Sequence, residues 1–131
     1  MKLEQTFVAW LRKNGWTILS ESHGKSGLPD IVAQDRQAKK VIFEVKADRP
    51  KGEGRKTSER SVDYPTLIGQ ICTRMWHPDA DYGVVISAAG LPWFKKRLSK
   101  LAIQRLGVRF FVVKDSTVEE LDGEYNPKTS T

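Results

Sequence analysis

The stretch SGLPDIVAQDRQAKKVIFEVKA, residues 26–47, reads as two apolar strands joined by a polar turn, with Asp30, Glu44 and Lys46 set inside the apolar runs. Side chains in a strand alternate between faces. Val41, Phe43, Val45 and Ala47 therefore share one face, and Ile42, Glu44 and Lys46 share the other. The odd-numbered face is a clean core face. The even-numbered face carries a carboxylate and an ammonium side by side, apart from that core. Asp30 alternates with Ile31, so it too points away from the core, and a tight hairpin through DRQAK brings it towards Glu44.

Outward from this hairpin the chain alternates between helical and strand patterns. Leu3, Phe7, Trp10 and Leu11 recur at helical spacing, and Asn14-Gly15 ends that helix. Trp16–Glu21 is a strand, followed by the glycine-bearing loop HGKSG. After the hairpin, the polar stretch from Asp48 to Pro65 reads as a mobile loop. Leu67, Ile71 and Met75 restore helical spacing, Tyr82–Ser87 is a β-branched strand, and Val108–Val113 is a last strand. Pro92 to Gly107 reads as one helix with proline near its start and glycine past its end. The order is αβββαβαβ. Strands joined by short turns pair antiparallel and those joined through a helix pair parallel. The expected fold is α/β, a mixed sheet of about five strands flanked by helices. The expected organisation is a single domain over 1–124 and a flexible tail over 125–131.

A chain of 131 residues fits one domain. No apolar run approaches the roughly 18 residues that span a membrane. The charged N-terminus is unlike a secretory signal. One cysteine, Cys72, rules out an internal disulfide framework and a cysteine zinc cluster. The expected compartment is a reducing cytoplasm. Net charge is +6 and the pI about 9.6, a balance that suits a polyanion such as DNA or RNA but is shared by basic proteins that bind neither.

Two neighbouring carboxylates repel, and a divalent cation relieves the repulsion. Carboxylate oxygens suit Mg²⁺, which binds through one or two acids and substrate phosphate. A lysine beside such a pair can orient a water or offset charge developing on a phosphate. An exposed ion pair contributes only about 0–1 kcal/mol, a poor reason to place three charges in short apolar strands. The cluster outlines a phosphodiester hydrolysis site.

Pro29-Asp30, followed after a short hairpin by Glu44-Val45-Lys46, resembles the PD-(D/E)xK nuclease superfamily, whose members include restriction endonucleases and junction resolvases. The resemblance extends to the order of elements and implies a restriction-endonuclease-like core. It implies that Asp30, Glu44 and the carbonyl of Val45 ligate Mg²⁺, with Mn²⁺ able to substitute, and that Lys46 is the catalytic lysine. It further implies a glutamate from the first helix, Glu4, with Glu21 as fallback, and a glutamine on the following helix, Gln70. Lys25 and Ser26, together with Lys51, Arg55, Lys56 and Arg60 on the loop after Lys46, are expected to meet DNA phosphates.

The activity this implies is that of a metal-dependent DNA endonuclease. Cutting two strands needs two sites, so a homodimer is expected. The alternatives are a structure-specific nuclease acting on junctions or flaps, and a non-cleaving nucleic-acid-binding module of a larger complex. Cys72 is expected on the core side of its helix, Trp76 and Trp93 as packing residues, and His23 as an exposed loop residue.

Overall fold

The computed structural model describes residues 2–23, 27–46 and 57–128. Its elements are α1 (Lys2–Lys13), β1 (Thr17–Glu21), β2 (Ile31–Gln34), β3 (Lys40–Lys46), α2 (Thr57–Thr73) and β4 (Asp81–Ser87), followed by a 3₁₀ turn at Ala88–Gly90. Then come α3 (Leu91–Arg97), α4 (Lys100–Leu106), β5 (Arg109–Lys114) and β6 (Thr117–Leu121). The strands form one sheet in sequential order from β1 to β6. The hairpin-linked pairs β1–β2, β2–β3 and β5–β6 are antiparallel, while β3–β4 and β4–β5, joined through helices, are parallel. The fold is α/β, a mixed sheet flanked by helices and compatible with the restriction-endonuclease-like core.

Helices cover both faces of the sheet. Phe7, Val8 and Leu11 of α1 pack on Ile31, Ala33, Val41, Phe43 and Val45. Tyr64, Leu67 and Ile71 of α2, with Phe94 and Ile103, pack on Ile42, Val84, Ile86 and Phe110. The even-numbered face of β3 is therefore a second core face. A central strand covered on both sides reads as a continuous apolar run, and β3 does so apart from its charges. Gly83, opposite Phe43 in the β3–β4 register, is fitted to this packing, since a Cβ there would stand 2.7 Å from the Phe43 ring.

Several expectations are corrected. The mobile loop expected up to Pro65 is helical from Thr57, and Pro65 lies inside α2. Proline removes a helical hydrogen bond, so the sequence pattern breaks there; the full burial of Tyr64 in the core holds the turn around it. The long helix expected from Pro92 breaks at Leu98, whose backbone is extended, and restarts where Ser99 Oγ accepts from Ala102 N–H at 3.1 Å. A sixth strand, β6, follows a two-residue hairpin with Asp115 at φ 55°. The turn lacks the glycine that ordinarily signals such a hairpin. Tyr125, expected to begin a flexible tail, is buried, and its hydroxyl donates to the carbonyls of Leu98 (2.6 Å) and Phe94 (3.0 Å). Cys72 is exposed, and Trp76 is 83% exposed, whereas Trp93 packs on Tyr64 and Phe94 as expected. No described helix is long and apolar enough to cross a membrane.

Candidate active site

The site is built where the β2–β3 ladder ends. The last pair of the register is Ile31 with Phe43, and continuing it would set Pro29 opposite Val45. Proline has no N–H to give, so the ladder cannot close there. Asp30 closes it instead. Its Oδ2 accepts the Val45 N–H at 2.8 Å, and its own N–H donates to Glu44 Oε2 at 3.3 Å. The Asp30 carbonyl accepts the Ser22 N–H at 3.0 Å, which ties the same residue to the end of β1. A strand residue sends its N–H and C=O to the same side. The Val45 carbonyl therefore points to the side from which Asp30 reaches its N–H.

Glu44 is 2% exposed, among the most buried residues of the chain. Burial, and then the neighbouring Asp30, raise its carboxyl above the ordinary 4.5; Arg74 works in the opposite direction. Arg74 follows directly on the end of α2. Its Nε is buried without a hydrogen bond of its own and lies 3.4 Å from Glu44 Oε2, an ion-pair contact. Its two terminal nitrogens donate to the carbonyls of Gly27 (3.2 Å) and Leu28 (3.0 Å), on the loop that leads into Asp30. Reading the sequence missed Arg74, because a basic residue near a helix C-terminus is common for reasons of helix electrostatics alone.

Glu4, on the first turn of α1, comes within electrostatic reach of Asp30. Burial and then Asp30 raise its carboxyl, Glu21 adds to this, and His23 opposes it. Glu4 Oε1 is buried without a hydrogen-bond partner among the described residues. Glu21, the fallback for Glu4, instead pairs with Arg12 at 3.6 Å. His23 is exposed, as expected, with φ 52°. Lys46 ends β3, half-buried, on the same face as Glu44 by strand alternation. Gln70 is exposed on α2, and the α2-side residue in contact with Glu44 is Arg74, four positions further on. Lys25, Ser26, Lys51, Arg55 and Lys56 lie outside the described residues, and Arg60 lies within α2.

The donor set has a definite chemistry. Among the described residues no group of three or more His, Cys, Asp and Glu side chains is placed to hold a metal ion. Asp30 and Glu44, joined through each other's backbone, fit the smaller requirement of Mg²⁺ for one or two carboxylates. Burial, and after it the neighbouring Asp30, raise the Glu44 carboxyl.

No protein-family model matches the chain, and no curated protein matches its sequence. Solved structures do. A XisH family protein from Nostoc punctiforme superposes with a TM-score of 0.63 at 18% identity, over 88% of this chain and 94% of that one. An fdxN element excision controlling factor protein from Anabaena variabilis superposes with a TM-score of 0.63 at 21% identity, over the same shares of 88% and 94%. A structure of an EndoMS–dsDNA complex is a looser likeness, with a TM-score of 0.42 at 12% identity over 85% of this chain and 44% of that one. At these identities the two likenesses with a TM-score of 0.63 establish a shared fold.

Proposed function

We propose that the chain is a metal-dependent DNA endonuclease of the PD-(D/E)xK type. The observation that carries this reading is the mutual bracketing of Asp30 and Glu44 across the end of the β2–β3 ladder. A buried carboxylate beside a second carboxylate is costly, and it is retained where a cation answers it. Asp30, Glu44 and the Val45 carbonyl hold Mg²⁺, and Mn²⁺ substitutes. When bound, the ion polarises a phosphoryl oxygen and lowers the pKa of a water. Lys46 orients the attacking water and offsets negative charge on the scissile phosphate. Glu4 supplies a further acid beside Asp30.

The net charge of +6 favours a polyanionic substrate. Lys25, Ser26, Lys51, Arg55, Lys56 and Arg60 contribute phosphate contacts, and two copies act together on a duplex. The test is incubation of supercoiled, linear and four-way-junction DNA with Mg²⁺, Mn²⁺ or chelator, using wild type and Asp30→Ala. Metal-dependent cutting that disappears in Asp30→Ala supports the reading. Cutting that persists unchanged in the variant defeats it. Preference for the junction over linear duplex would select the structure-specific form of the activity.

A second reading is a nucleic-acid-binding module that does not cut. It is favoured by the description of one structural neighbour as an excision controlling factor. DNA binding in chelator, with no cutting in either metal, would select it.

A further inference from the structure

Arg74 sits where no part of the two-acid reading requires a cation, yet it makes three polar contacts there. Its Nε faces Glu44 Oε2 at 3.4 Å, and its terminal nitrogens grip the carbonyls of Gly27 at 3.2 Å and Leu28 at 3.0 Å. These partners belong to different parts of the chain. Glu44 is on β3, and residues 27 and 28 precede Asp30 on the loop that enters β2. The planar guanidinium presents donors in a fixed fork, so it can bond two carbonyls while its charge faces a carboxylate. A lysine ammonium offers a point charge without that fork.

We propose that Arg74 is a positioning residue that locks the 27–28 loop onto Glu44 and so fixes the spacing of the Asp30 and Glu44 carboxylates. This rests on the nuclease reading for its catalytic consequence, though not for the clamp itself. Two features support the clamp. Oε2 of Glu44 is the oxygen that also accepts the Asp30 N–H, so Arg74 and Asp30 orient the carboxylate from the same oxygen. The loop is otherwise open: Gly27 and Leu28 are exposed, and Gly27 has φ 82°. A loop of this kind has little packing to set its position, and Arg74 provides a polar anchor instead. Arg74 also places positive charge beside Glu44.

The experiment compares wild type, Arg74→Lys and Arg74→Gln in the full chain. Three quantities are read: amide hydrogen exchange at Asp30 and Val45 in metal-free protein, plasmid nicking against Mg²⁺ concentration, and DNA affinity in chelator. Arg74→Gln is expected to speed exchange at the Asp30 and Val45 amides while those of β5 stay protected. Its nicking is expected to fall by about 10–100-fold, the range seen when a residue supporting a metal ligand is removed. DNA affinity in chelator should stay at the wild-type level. Arg74→Lys keeps charge without the fork and should fall between the other two; it also serves if Arg74→Gln fails to fold. Wild-type exchange at Asp30 and Val45 in both variants overturns the proposal. So does loss of DNA affinity in step with the loss of nicking, which would make Arg74 a phosphate contact. Absence of cutting by wild type itself would count against the nuclease reading, and the exchange arm would still decide the clamp.

Discussion

Asp30 and Glu44 are joined through the main chain: the Asp30 N–H donates to Glu44 Oε2 at 3.3 Å, while Asp30 Oδ2 takes the N–H of Val45, the next residue on the strand, at 2.8 Å. Each acid is thus oriented by the backbone beside the other. The pairing makes each of them both a structural and a chemical element, and the two roles separate under substitution.

Asp30→Ala removes the acceptor of the Val45 N–H and should cost about 1–3 kcal/mol, the penalty of leaving a largely buried donor unpaired. Asp30→Asn keeps an acceptor oxygen at that place and should retain most of the stability. Both variants should lose metal-dependent cutting. Urea denaturation beside a nicking assay checks this; an Asp30→Asn protein that cuts at the wild-type rate would refute the ligand role.

Glu44 gives stability a pH dependence of known sign. Burial and Asp30 raise its carboxyl above 4.5, so the folded chain holds that proton more tightly than the unfolded chain. Without metal, this contribution is favourable at low pH and is lost as pH rises from about 4.5 through the raised folded value. Mg²⁺ needs the ionised form, so the metal-induced rise in Tm should grow with pH over the same window. At a hundredfold excess over Kd the stabilisation behind that rise should reach about 2.7 kcal/mol. Thermal melts with and without Mg²⁺ at several pH values test this, with Glu44→Gln as control. A rise in Tm that is the same at every pH, or equal in Glu44→Gln, would remove Glu44 from the ion site.

Near the other end of β3, Arg109 draws carboxylates together. It bonds Glu120 through Nε at 2.9 Å, lies 3.5 Å from Asp35 and 3.6 Å from Asp81, and stacks over Trp16 at 5.3 Å. Burial alone would raise the Glu120 carboxyl, but hydrogen bonds from Arg109 and Lys128 outweigh it and hold it below 4.5. Its contribution is therefore present above about 4.5 and lost as pH falls through the lower folded value. Arg109→Met leaves these acids facing one another. Because the Arg109 side chain is 21% exposed, the expected loss is about 1–3 kcal/mol rather than that of a fully buried pair. Urea denaturation at pH 7 measures it; a loss below the experimental error would show the network to be solvent-screened.

Gly83→Ala should destabilise by about 1–3 kcal/mol, since its methyl would press on the Phe43 ring in the middle of the sheet. Chemical denaturation reads this directly. A neutral result would mean that the aromatic cluster of Phe7, Phe43 and Phe111 yields readily at this point.

The hairpin from Ile31 to Lys46, the helix–strand alternation and the mixed sheet were legible because they depend on periodicity and short connections, which are local properties. Asp30 and Glu44 were legible for the same reason, as charges that break a period-two apolar run. The start of α2 was not, because Pro65 argues locally against a helix that Tyr64 stabilises through the distant core. Nor was β6, whose turn has Asp115 where glycine ordinarily marks the place.

What the sequence by itself determined is the class of fold and the two acids placed at the end of one hairpin. Only the tertiary structure decided that Glu44 lies beneath a helix, that Glu4 comes near Asp30, and that Arg74 ties Glu44 to the loop before Asp30. These depend on interactions between residues 26 to 47 positions apart, electrostatic from Glu4 to Asp30 and hydrogen-bonded from Arg74 to Gly27, and no local pattern encodes which distant side chain will reach a given carboxylate.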